Sequence, residues 1–249
     1  MFAFGQTGSG KTHTITGGSG AGSGAESGVG SGAEPGREGL VQRALAYIAD
    51  KHCTVQISYL EIHNEQVFDL LNPATPLVVR WTQKAGFFVE GLYVVKCDSL
   101  LDSLQCLNEG LANRSVATHN LNKCSSRSHS LLTIYFSSCA GNGKITFVDL
   151  AGSEKLKLSQ SSQQMLVESL NINKSLLSLA KCITILSKSR KRRDKAHVPF
   201  RDSKLTRLLM DSLTGSGQSL MIACINPTFA NLPETLQTLR YATQGTFLH

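Results

Sequence analysis

Between Gly5 and Thr12 the chain reads GQTGSGKT, which meets the spacing GxxxxGK[ST] at every fixed position. Glycines at those places let successive backbone N–H groups turn toward phosphate oxygens, and a helix that starts at the lysine adds the positive end of its dipole. Gly5, Gln6, Thr7, Gly8, Ser9, Gly10, Lys11, Thr12 and the following His13 are therefore candidate nucleotide-binding residues. Lys11 would neutralise the β- and γ-phosphates, and the Thr12 hydroxyl would bind magnesium. The bland alternative is a chance glycine-rich turn, but the apolar Phe2-Ala3-Phe4 before it and the helix-like HTIT after it supply the context the motif needs.

A phosphate loop names a ligand class and leaves the task open, so a second magnesium ligand and a sensor of the γ-phosphate must lie elsewhere. Asp149 ends the apolar run ITFVDL, where folds of this kind place a magnesium-binding acid; it could equally be an ordinary strand-ending aspartate. Gly152, three residues on, could bring a backbone N–H close to a phosphate. Upstream, NKCSSRSH (122–129) concentrates hydroxyls, a guanidinium and an imidazole just before a strand. Such polar density ordinarily marks a turn, but beside the other two elements it offers ligands for a metal and a water.

These groups need elements to hold them. LVQRALAYI (40–48) has the apolar spacing of a helix, and TVQISYLEI (54–62) the β-branched and aromatic content of a strand. LLTIYFSS (131–138) and KITFVDL (144–150) predict two more strands, joined as a hairpin through an Asn142-Gly143 turn. Leu176, Leu179, Ala180, Ile183 and Leu186 recur at helical steps within LNINKSLLSLAKCITILSK. A helix from Ser203, a buried strand over SLMIACINP and a helix from Pro233 complete the pattern. Strands alternating with helices predict an α/β layered fold with a central, mostly parallel sheet flanked by helices.

The 249 residues, 41% of them hydrophobic, suffice for one sizeable core. No run of about 18 apolar residues or secretory signal is present, so the chain is expected to be soluble and intracellular. Seven cysteines, an odd number with no CxxC pair, are expected to be reduced thiols. Residues 17–39 hold ten of the 22 glycines and predict a flexible Gly/Ser-rich surface loop inserted in a single domain spanning 1–249. The net charge is +7, and KSRKRRDK (188–195) alone supplies +5 of it. That octet could be a solvated loop, a nuclear-localisation or nucleic-acid patch, or a contact for an acidic protein surface.

In this order, GQTGSGKT, NxxSSRSH (122–129) and DLAGSE (149–154) resemble the phosphate loop, switch I and switch II of the kinesin motor domain. The likeness continues through LNINKSL, HVPFRDSKLTRLLMDSL, CINP and ETLQTLRYA, and so covers nearly the whole chain apart from the glycine insert. VRW, FFVEGLYVV and LPETLQTLRYA narrow it to one branch of the family. The resemblance implies a P-loop NTPase-type three-layer motor fold. It also implies that Ser126 joins Thr12 on magnesium, that Asp149 binds the same ion through water, and that Ser125 holds the attacking water. Gly152 would report the γ-phosphate, and Arg127 would pair with Glu154, which would also relay the water's proton.

By the same resemblance the basic face meets acidic tubulin, with Lys174, Lys188, Arg190, Lys191, Arg192, Arg193, Lys195, Arg201, Lys204 and Arg207 as microtubule contacts. The implied activity is a microtubule-stimulated ATPase using ATP and Mg²⁺ to move along the cytoskeleton in the cytoplasm, without membrane or nucleic-acid partners. Family members also carry strands and an adenine-contacting RxRP-type segment before the phosphate loop, and a neck linker after the last helix. Against that pattern the chain reads as truncated at both ends. An uncovered sheet edge and apolar surface are expected beside residues 219–225. The second reading is therefore a microtubule-binding module with impaired ATP turnover.

Overall fold

The computed structural model describes residues 1–18, 38–120, 125–139, 141–154, 163–187, 196–214 and 217–245. Most of the glycine-rich segment and the whole basic octet lie outside the described residues. Nine strands are described, β1 (Phe2–Phe4), β2 (Thr54–His63), β3 (Gln66–Asp69), β4 (Val78–Thr82), β5 (Gly86–Glu90), β6 (Val95–Cys97), β7 (His129–Ser138), β8 (Gly141–Asp149) and β9 (Met221–Ala223). The helices are α1 (Lys11–Thr16), α2 (Leu40–Asp50), α3 (Leu100–Asn120), α4 (Gln163–Leu186), α5 (Lys204–Leu213) and α6 (Leu232–Gly245).

The main sheet runs β3-β2-β7-β8-β1-β9, and β6 also pairs with β2. It is mixed, which corrects the expectation of a mostly parallel sheet. β1 lies parallel to β8 and β9, while β7 and β8, β2 and β7, β2 and β3, and β2 and β6 are antiparallel. The chain dictates this: β2–β3 and β7–β8 are joined by turns too short for a crossover, and only an antiparallel pair can be closed that way. β4 and β5 form a separate two-stranded ribbon.

Alternation along the strands builds two cores. Phe2, Phe4, Leu131 and Val148 face α4, α5 and α6, whereas Ala3, Leu132, Ile134 and Phe147 face α1, α2 and α3. The phenyl ring of Phe4 meets Tyr241 of α6 with centroids 4.3 Å apart. The result is a three-layer α/β fold with the phosphate loop leaving β1, between β8 and the edge strand β9 and between the two helical layers.

The β7–β8 hairpin is present, but its turn is not Asn142-Gly143. Asn142 pairs with Ser137 and Gly143 with Phe136 inside the ladder. A Cβ on Gly143 would come within 2.4 Å of the Phe136 ring, so the glycine serves cross-strand packing. β9 ends the described sheet, and the surface around it is apolar. Leu220, Ile225, Leu232, Leu236 and Leu239 are exposed, and Phe229 is 87% exposed. Among the described residues, then, β9 is a sheet edge with apolar side chains exposed around it.

Candidate functional site

β1 delivers Gly5 to the C-terminal edge of the sheet, and α1 begins at Lys11. A Cβ on Gly5 would lie 2.0 Å from the carbonyl oxygen of Cys224, so only glycine lets the loop turn against the end of β9. Lys11 is 7% exposed and its Nζ donates to the carbonyl of Gln6 at 2.7 Å. Burial lowers its pKa, and the charges of Asp149 and Glu154 work against that shift.

Asp149, at the end of β8, stands beside the loop as the sequence predicts. The Thr12 hydroxyl donates to Asp149 Oδ2 at 2.7 Å. Arg114 of α3 donates to the same oxygen at 2.9 Å, and its Nε lies 3.5 Å from Glu61 Oε1 on β2. Glu61 also accepts the Ser128 hydroxyl at 2.6 Å. Asp149, Arg114, Glu61 and Ser128 are all buried, so the guanidinium offsets part of the charge of the two carboxylates where water cannot. Asp149 Oδ1 remains a buried oxygen with no hydrogen-bond partner.

The backbone after Asp149 is tied on every side. Ala151 N–H donates to His129 Nδ1 at 3.0 Å, Gly152 N–H to the Ser126 carbonyl at 2.9 Å and Ser153 N–H to the Gly5 carbonyl at 3.1 Å. Glu154 accepts the Thr7 N–H at 2.8 Å and the Thr7 hydroxyl. A Cβ on Gly152 would fall 2.4 Å from both Glu154 Oε2 and Thr7 Oγ1, so a side chain here would displace the Thr7–Glu154 contact. The N–H expected to sense a phosphate thus lies where segments 125–127 and 149–154 touch.

The structure brings together the phosphate loop, Thr12, Ser126, Asp149, Gly152 and Glu154. Ser125 opens the short 3-10 helix Ser125–Arg127. Arg127 borders a small recess with Asn64, Glu65 and His129. The predicted basic contacts that are described lie on α4, α5 and the 3-10 turn Phe200–Asp202. Lys174 and Arg201 are exposed, and Lys204 and Arg207 are half-buried. Arg207 is partly committed inside the fold: Nε and Nη2 donate to the Arg201 carbonyl at 3.2 and 2.9 Å, and its guanidinium sits 6.0 Å from the Phe87 ring centre. Lys188, Arg190, Lys191, Arg192, Arg193 and Lys195 lie outside the described residues.

Sequence reasoning missed Glu61, Arg114 and Ser175. Glu61 carried a readable signal, the one charged residue in the strand stretch TVQISYLEI. His129 was noted only as an imidazole in a polar cluster. Its Nε2 lies 2.7 Å from Ser175 Oγ on α4, and burial, with Arg114 and Lys11 adding positive charge, pushes its pKa down to about 3.

The family model described as Kinesin motor domain matches residues 1–246. The Kinesin-like protein KIF12 of Mus musculus is 44% identical over 266 residues, covering 98% of this chain and 40% of the relative. The Chromosome-associated kinesin KIF4B of Homo sapiens is 40% identical over 259 residues, covering 97% of this chain and 20% of the relative. The chain therefore spans less than half the length of these relatives. Among solved structures, that of a fast kinesin, reported with implications for its ATPase mechanism and interactions with microtubules, superposes with a TM-score of 0.82 at 36% identity. It covers 98% of this chain and 69% of that one.

Proposed function

Because the chain belongs to the kinesin motor-domain family, we propose that it is a microtubule-stimulated ATPase, coupling ATP hydrolysis to movement along microtubules and acting at the cytoskeleton. The observation that carries the reading is the contact of Thr12 with Asp149 beside a buried Lys11. It sets a phosphate-loop hydroxyl, a carboxylate and an ammonium group around one point.

The residues fit Mg²⁺. Asp149 Oδ1 is a buried acceptor without a partner, and the Thr12 and Ser126 hydroxyls are oxygen donors of the kind this ion takes. Among the described residues no group of three His, Cys, Asp or Glu could hold a metal by itself, so the ion would arrive sharing oxygens with the nucleotide. Bound there, it would neutralise charge on the phosphates. Lys11 would exchange the Gln6 carbonyl for phosphate oxygens, a substitution favoured because its charge is poorly satisfied by one neutral acceptor. Ser125 would hold the attacking water. Gly152 N–H would leave the Ser126 carbonyl to bind a phosphate oxygen, and Glu154 would leave Thr7 to meet Arg127 and accept the water's proton. Lys174, Arg201, Lys204 and Arg207 on the α4–α5 layer would meet acidic tubulin, a salt-sensitive attraction to which the sequence octet 188–195 would add charge.

Lys11→Ala tests the nucleotide half of this account. Phosphate release should vanish while cosedimentation with microtubules in the absence of nucleotide persists. Turnover that survives the substitution would remove the phosphate loop from the mechanism.

A further inference from the structure

A buried chain of hydrogen bonds joins the segment after Asp149 to helix α4. Ala151 N–H donates to His129 Nδ1 at 3.0 Å, His129 Nε2 lies 2.7 Å from Ser175 Oγ, and the Ser175 hydroxyl donates to the Ile172 carbonyl at 2.8 Å. Ala151 is fully buried, and His129 and Ser175 are each 2% exposed. A backbone N–H can only donate, so Nδ1 is the acceptor. The neutral ring then carries its proton on Nε2 and gives it to Ser175, whose own proton is directed to Ile172. Every donor and acceptor in the relay has one partner, and its polarity runs in one direction, from the Ala151 peptide into α4.

The two ends of this relay belong to different parts of the site. Ala151 stands between Asp149 and Gly152, whereas Ser175 adjoins Lys174 on the helix that carries the proposed polymer-binding face. We propose that His129 is a positioning residue that couples α4 to the Asp149–Glu154 segment, so that a shift of the helix changes where the Gly152 N–H and Glu154 stand. A displacement of about 1 Å is enough to break a hydrogen bond of this length, so the ring must follow the helix or leave a buried nitrogen unpaired. This inference rests on the motor reading above, because it assigns the displacement to microtubule binding.

Two variants interrupt the relay differently. Ser175→Ala removes the α4 acceptor. His129→Asn keeps an acceptor near Nδ1 for Ala151 but is too short to reach Ser175. In the whole 249-residue chain, Ser175→Ala should leave phosphate release without polymer within about twofold of the parent and lower the microtubule-stimulated kcat about tenfold. His129→Asn should lower the stimulated kcat similarly, and the double variant should fall no further, since both cut one link. Amide exchange at Leu150–Gly152, measured without polymer, should be faster in Ser175→Ala. Unchanged exchange, a stimulated kcat within twofold of the parent in both variants, or losses that multiply in the double variant would overturn the proposal. A parent chain that polymer does not stimulate at all would instead sink the motor reading, and the exchange comparison still decides whether the link exists.

Discussion

Asp149 holds its place because Arg114 stands between it and Glu61, and the consequence is energetic as well as geometric. Arg114→Met removes the one positive group shared by two buried carboxylates. Leaving such charges uncompensated costs about 3–5 kcal/mol, so chemical denaturation should show a loss of that order. A loss below about 1 kcal/mol would mean that the three charges are not mutually satisfied. His129 gives a second prediction at this scale. Its ring stays neutral in the folded protein down to about pH 3, whereas an exposed imidazole titrates near 6.5. Between those values unfolding takes up a proton. Stability is therefore fully present above about pH 6.5 and falls by about 1.4 kcal/mol per unit as the pH drops below it. Denaturation midpoints at pH 7 and pH 5 should show that decline, and His129→Asn should flatten it.

At the scale of elements, α5 shows how local sequence fixes a start. Ser203 accepts the Thr206 N–H at 3.1 Å while Thr206 Oγ1 accepts the Ser203 N–H at 3.3 Å, a reciprocal cap. Glu65 adds an acceptor for the Lys204 N–H at 2.9 Å. Ser203→Ala should cost about 1 kcal/mol and lower the melting temperature; an unchanged melt would mean that Glu65 alone suffices to hold the helix end. This helix was legible because its period and its serine cap agree. So were β2, β7 and β8, whose apolar runs are long. α3 was not. Asn108, Gly110, Asn113 and Ser115 dilute its apolar stripe, and its place depends on packing Cys106 and Leu107 against the sheet. β3, β5 and β6 are too short to show a period, and they exist through pairing with β2 or β4. The phosphate loop and Asp149 could be read because their chemistry demands fixed residue types at fixed spacing. Arg114 could not, since its role appears only when α3 crosses behind β2 and β8.

The whole molecule places the proposed nucleotide groups at the ends of β1 and β8 and the proposed polymer face on the α4–α5 layer, with His129 and Ser175 between them. Its net charge of +7 favours an acidic partner, and raising the salt should weaken microtubule affinity without altering turnover in the absence of polymer. A chain whose cosedimentation ignores salt would place the contact on apolar surface, such as that around Phe229, instead. The most direct test of the central claim is steady-state phosphate release by this chain as microtubules are titrated in at saturating Mg-ATP. The account predicts a slow basal rate that rises with polymer and saturates. A rate that stays flat while the chain cosediments would contradict it, leaving a microtubule-binding module in place of a motor ATPase.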